Sequence, residues 1–279
     1  MGLEASRSPG GLPHIALLAA VAAATAWGQT PDPREIVRRS VEHDQINWRH
    51  MKDYTWIARD VERRLDSAGN VKSEHVDSWE TLNLYGEPYH RDLIRDNKSA
   101  GPEEQRKMDK LAAKLARETP EQRQRRLEQV DKDVQKNFAF LREVPDLYNF
   151  RLEGEGTIDG RAVWIISGVA KPGYPAKSRD ARALTKVRGR VWIDKTEYQW
   201  VKVEAETTDT ISLGVFLARL NPGAKLVFEE VRVNQEVWLP KRIWMSGAGR
   251  VGLIKKIATE EEITYSNYRK FSAESKIVP

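Results

Sequence analysis

The sequence predicts an α+β protein: a single curved antiparallel sheet of about ten strands, with helices covering one side and a charged helical insert. Three observations carry this. Residues 187–206, 225–233, 236–246 and 261–271 alternate at period two and are separated by short turns, the pattern of neighbouring hairpins. Residues 54–65, 71–85 and 148–158 also read as strands, and 162–169 as the apolar partner of the last. Residues 102–143 differ in kind, with no Gly, one internal proline (Pro120) and apolar residues at helical spacing. No linker or internal repeat divides the chain, so one sheet with packed helices is the economical arrangement.

Taken in order, residues 1–26 read as a secretory signal. Arg7 supplies weak positive charge, residues 15–24 form a short apolar run, and Ala24-Thr-Ala26 fits the small-x-small cleavage rule. The run is shorter than the ~20 residues that span a bilayer; an uncleaved anchor is the alternative. Residues 27–279 then form one domain. Asp32-Pro33 opens a helix that runs to about Lys52, because Asp offers a capping oxygen and Pro suits the first turn. Ser67-Ala-Gly-Asn70 turns the first strand into the second, and Gly86-Glu-Pro88 ends the second before a shorter third strand, residues 89–95.

Within 102–143, Met108, Leu111 and Leu115, then Leu127, Val130, Val134, Phe138 and Leu141, mark two helices split at Thr119-Pro120. Eleven Lys or Arg stand against nine Asp or Glu there, so a solvated helical face is expected rather than a phosphate-binding stripe. In the next strand Tyr148, Phe150, Leu152 and Ile158 share one parity and Asn149, Arg151, Glu153 and Glu155 the other. Asp159-Gly160 predicts a two-residue hairpin turn. The partner strand, 162–169, is apolar on both faces (Val163 and Ile165, Trp164 and Ile166), which requires cover on both. Residues 171–186 are a Pro- and Gly-containing loop, and 209–220 are expected to be one mobile helix or loop against the sheet.

Composition narrows the chemistry. The 279 residues contain no Cys, so disulfides, thiolate chemistry and a Cys-linked lipid anchor are excluded. Lys and Arg total 46 against 41 Asp and Glu, a net charge of +5, a mild excess compatible with anionic headgroups but typical of mixed-sign surfaces. Gly247-Ala-Gly-Arg-Val-Gly252 matches a dinucleotide fingerprint in spelling only: it follows an antiparallel strand near the C-terminus, so a flexible hairpin turn is expected. The histidines His14, His43, His50, His75 and His90 form no zinc-ligand set, and no nucleophile-elbow, zincin or P-loop pattern occurs. An enzyme is therefore disfavoured; no cofactor, metal or nucleic acid is expected. Of nine Trp, Trp192, Trp200, Trp238 and Trp244 sit at the parity of Arg188, Arg190, Lys202 and Arg242. They are expected on an outer face under Arg and Lys stems, leaving the Val, Leu and Ile face for any cavity.

Four short runs then resemble the outer-membrane lipoprotein-sorting protein family (LolA/LolB-like), whose relatives include the periplasmic regulator RseB. They are Gly189-Arg-Val-Trp-Ile-Asp194, Tyr198-Gln-Trp-Val-Lys-Val-Glu204, Val237-Trp-Leu-Pro-Lys-Arg-Ile243 and Tyr265-Ser-Asn-Tyr-Arg-Lys-Phe271. The resemblance covers about 150–271. It implies an exported, periplasmic protein with an unclosed β-barrel, a helical lid and an apolar cavity for acyl chains. The long charged insert departs from the family pattern.

On this reading the chain is a carrier-like protein that holds a lipid or acylated lipoprotein. The candidate cavity residues are Phe150, Leu152, Val163, Ile165, Val191, Val201, Val203, Val237 and Ile243. Leu213, Phe216 and Leu217 are candidate lid residues. The alternative is an envelope sensor of the same fold that binds a membrane protein partner through its insert.

Overall fold

A computed structural model of the chain describes residues 31–213, 218–251 and 255–271. The expected signal segment lies outside them. The strands are β1 Tyr54–Leu65, β2 Val71–Leu84, β3 Glu87–Arg95, β4 Lys98–Ser99, β5 Tyr148–Ile158, β6 Arg161–Ala170, β7 Val187–Asp194, β8 Trp200–Thr207, β9 Ile211–Leu213, β10 Ala218–Leu220, β11 Lys225–Val233, β12 Val237–Val251 and β13 Lys255–Lys270. They form one sheet in the order β4-β3-β2-β1-β13-β12-β11-β8-β7-β6-β5, with β10 paired to β12 and β9 to β10. Among the described residues every pairing is antiparallel, and β4 and β5 do not meet, so the sheet is an unclosed half-barrel. The last strand, β13, lies between β1 and β12 and joins the N-terminal hairpins to the C-terminal meander.

Among the described residues there are thirteen strands, against the expected number of about ten. The additions are β4, β9 and β10, each of two or three residues, too short to show a period. The expected helix or loop at 209–220 is instead the β9–β10 hairpin; its middle, 214–217, lies outside the described residues. Tertiary pairing decides here: Ala218, Arg219 and Leu220 pair with Val251, Arg250 and Gly249. That pairing also corrects the expected glycine turn. Gly247 and Gly249 lie within β12. A Cβ at Gly249 would collide with the Arg219 carbonyl oxygen, and one at Gly247 would come within 2.8 Å of the Ala224 Cβ. The glycines admit a close backbone neighbour.

The 19-residue helix α1, Pro33–Met51, starts as expected, with the Asp32 side chain accepting from the Arg34 N–H. Its Ile36 and Val37 pack on Trp164, Ile166 and Ile193, with Phe150, Leu152, Val191 and Trp200 around them. This defines the α1 face of the sheet. Polar residues fix the helix further along. Trp200 Nε1 donates to Ser40 Oγ at 2.6 Å. Asn47 donates to the Trp238 carbonyl at 2.8 Å and accepts from the Trp238 N–H at 2.9 Å.

The charged insert folds as α2 Pro102–Ala116 and α3 Pro120–Asn137, divided where expected by a capping box at Thr119 and Gln122. Met108, Leu111 and Leu115 of α2 pack on Leu82, Leu84 and Tyr89. These alternate with Thr81 and Asn83, whose parity matches the α1 face, so α2 covers the far face near the β2–β3 hairpin. Arg126 of α3 clasps that hairpin by pairing with Glu118 and Glu87 and donating to the Tyr85 carbonyl. Two short helices, α4 Val144–Leu147 and α5 Arg179–Leu184, bury Leu147 and Ala181 against Tyr148.

Candidate ligand-binding face

Residues directly opposite in adjacent strands share a face. Following the register from β5 gives one continuous row on the α1 face: Leu152, Ile166, Val191, Val203, Phe228, Ile243 and Ile263. A parallel row carries Ala205, Leu226 and Met245. Ile166 is fully buried against α1. From Val191 to Ile263 the row is only half-buried, and its four strand spacings of about 4.8 Å give a strip roughly 19 Å long. The geometry is an open apolar strip beside a helix, of a length to take an extended acyl chain.

The predicted cavity residues divide between the faces. Phe150, Leu152, Val191, Val203 and Ile243 lie on the α1 face. Val163 and Val201 pack instead with Trp238, Ile158 and Trp192, and Ile165 lies opposite Trp192. Val237 joins Tyr54 and Leu239 near Met51 at the end of α1. The cause is a set of one-residue register shifts. Those between Leu152 and Gly154, between Trp192 and Ile193 and between Glu229 and Glu230 each reverse the parity beyond them. The first puts Ile158 opposite to Phe150; the second puts Val201 with Trp192 and Trp200 on the α1 face. Of the lid residues, Phe216 and Leu217 lie outside the described residues, and Leu213 is described only as part of β9. Parity counting missed Leu226, Phe228, Met245 and Ile263. The signal was present in the Leu226 and Phe228 alternation, but Val227 at the opposite parity left the direction open.

Carboxylates close the strip on β1 and β13. Asp60 lies opposite Ile263 and also Asp77, and Glu62 opposite Glu261. Glu62 pairs with Arg64. Asp60 Oδ1 is buried with no hydrogen-bond partner. Burial, followed by the neighbouring Asp60 charge, pushes Glu261 up to about 7. Asp60 is raised by burial and by Asp77 and Glu62. The apolar strip therefore ends beside Glu261, which titrates near neutral pH.

A second proton site lies under α1. Glu230 is buried and accepts from Gln199 Nε2 at 2.9 Å; the same nitrogen is 3.4 Å from Asp44 of α1. Burial, reinforced by Asp44, pushes Glu230 up to about 8, with the Gln199 bond opposing. By contrast Asp194, buried among β6–β8, stays below the ordinary carboxylate range. Burial works against it, but a two-point pair with Arg161 at 2.7 and 2.9 Å and the N–H groups of Glu197 and Thr196 outweigh that.

The far face of the same strands is a lattice of charge. Arg188 pairs with Glu206, Arg190 with Glu153, Lys202 with Glu204 and Arg242 with Glu262. Trp192 lies beneath Arg190 and Lys202, whose charges are 5.7 and 4.8 Å from its ring centre. A cup of about 670 Å³ opens here, lined by Arg188, Arg190, Glu153, Glu204, Glu206 and Trp244 among others. Among the described residues no group of three or more His, Asp or Glu is arranged to hold a metal ion, and no helix is long and apolar enough to cross a membrane.

No family profile and no curated protein matches the chain. Solved structures do. A DUF1329 family protein from Desulfovibrio piger is 12% identical, with 88% of this chain and 95% of that one covered and a TM-score of 0.33. An outer membrane lipoprotein-sorting protein domain from Vibrio parahaemolyticus is 11% identical over 86% and 95%, with a TM-score of 0.29. A LolA superfamily protein from Nitrosomonas europaea is 11% identical over 88% and 94%, with a TM-score of 0.27.

Proposed function

We propose that the strip on the α1 face holds the aliphatic chain of a lipid or of an acylated protein, and that the protein acts as a carrier of that chain in the periplasm. The observation that supports this is the asymmetry of the central strands. Val191, Val203, Phe228, Ile243 and Ile263 stay partly accessible in one row, while the far face carries four ion pairs across the same strands. Contiguous accessible apolar patches mark binding surfaces. Each methylene that leaves water for the strip contributes about 0.8 kcal/mol, against a substantial cost of immobilising the ligand, so affinity depends on chain length. The periplasmic setting comes from the reading of residues 1–26 as an export signal.

Titration with a fluorescent fatty acid tests the reading. Phe228→Asp and Ile263→Asp place a charge in the strip and abolish saturable binding, while Val227→Asp, on the far face of the same strand as Phe228, leaves it intact. Equal binding by all three folded variants contradicts the proposal.

A further inference from the structure

At the end of the sheet near the β1–β2 turn, three cations stand in one cross-strand row. Arg219 of β10 lies opposite Arg250 of β12, and Arg250 lies opposite Lys256 of β13. Side chains directly opposite in antiparallel strands are about 5 Å apart at Cβ, and like charges in that position destabilise a sheet. All three are exposed, and among the described residues none forms an ion pair. This sets them apart from Arg188 and Arg242 of the central far face, each of which pairs with a Glu on the neighbouring strand.

A cavity of about 690 Å³ opens over the row, lined also by Ser67, Thr210 and Asn221. The one carboxylate in its lining, Asp66, is directed into its own turn. It accepts from the N–H groups of Ala68 at 2.8 Å and Asn70 at 2.9 Å, and these bonds hold it below the ordinary carboxylate range. The row is fixed in place by backbone: the glycine at 249 lets β10 approach β12, and the Asn221 N–H donates to the Ala248 carbonyl at 2.9 Å. Three converging cations with hydroxyl and amide groups beside them have the chemistry of a phosphate receptor.

We propose that Arg219, Arg250 and Lys256 form a binding site for a phosphate group, separate from the apolar strip. The bound anion relieves the repulsion along the row, so phosphate and sheet stability are linked.

The test uses the full chain with inorganic phosphate, followed by thermal unfolding and by nuclear magnetic resonance of the arginine side chains. Phosphate raises the melting temperature saturably and shifts the Arg219 and Arg250 Nε signals. Arg250→Gln weakens phosphate binding roughly tenfold, as expected for losing one charge-assisted contact. It also raises the melting temperature in phosphate-free buffer, because repulsion falls. Arg188→Gln, a paired arginine of the same face, leaves phosphate binding unchanged. Co-sedimentation with vesicles of phosphatidylglycerol and phosphatidylcholine separates the two sources of phosphate. Binding to the anionic vesicles that free phosphate displaces identifies a headgroup; saturable phosphate binding without vesicle binding identifies a small phosphate ester. Absence of saturable phosphate binding, or equal losses in Arg250→Gln and Arg188→Gln, overturns the proposal.

Discussion

Asn47 and Trp238 hold α1 to the sheet through two buried hydrogen bonds, the Asn47 amide donating to and accepting from the Trp238 main chain at 2.8 and 2.9 Å. Substitution by Leu keeps the volume but strands a buried N–H and a buried carbonyl, each costing about 1–3 kcal/mol. Asn47→Leu is expected to lower the unfolding free energy by about 2–6 kcal/mol in urea titration. A change near zero means that water replaces the amide and that α1 is not fixed at this point.

Glu230 links that anchoring to pH. Its folded value of about 8 stands above its ordinary 4.5, so the native state binds the extra proton. The penalty for charging it is absent well below pH 4.5, grows as pH rises towards 8, and is constant above. Glu230→Gln removes the titration while retaining a partner for Gln199. The variant is expected to match the parent in acid and to exceed it increasingly in melting temperature up to about pH 8. A constant difference across that range contradicts the assignment.

At the far end of the strip Glu261, pushed up to about 7 by burial and Asp60, gains charge through neutral pH. A fatty acid whose carboxylate lies near β13 then meets growing repulsion, whereas an uncharged alkyl maltoside does not. Fatty-acid affinity is expected to fall between about pH 6 and 8, in step with Glu261 ionisation, and the maltoside affinity to stay level. In Glu261→Gln the fall is reduced. A parallel decline for both ligands attributes the effect to the protein's stability.

Gly249 carries the β10 contact. A methyl group there collides with the Arg219 carbonyl, so Gly249→Ala is expected to detach β9–β10 while the rest of the sheet stays folded. Amide exchange checks this. The Asn221 N–H, which bonds to Ala248, loses protection, and the Val203 and Phe228 amides in the sheet centre keep theirs. Retained protection at Asn221 shows that the backbone can accommodate the methyl.

The fold was legible because its signals were local. Asp32-Pro33, Thr119-Pro120 and Asp159-Gly160 each open a helix or close a hairpin where expected. Asp159 and Gly160 adopt the positive φ that such a turn requires. The binding face was legible only in part. Alternation assigns faces correctly until a bulge intervenes. Gly154, a glycine inside a strand, is a bulge signal that parity counting passed over, but nothing in Trp200-Val-Lys202 announces that the register slips there. The β9–β10 pairing was hidden for a related reason: three-residue strands exist only through the neighbour they join. The buried acids Glu230 and Asp194 are alike in sequence terms, and their opposite proton affinities arise from burial without a counter-charge for one and from the distant partner Arg161 for the other.

The most direct measurement is photo-labelling of the purified protein with a diazirine-bearing fatty acid, followed by peptide mapping. A ligand on the strip labels Val203, Phe228, Ile243 and Ile263, in β8, β11, β12 and β13, and an excess of unlabelled fatty acid removes the labels. Labels confined to the Trp192 and Trp244 side of the sheet, or labels that do not compete, contradict the assignment of the α1 face as the lipid site.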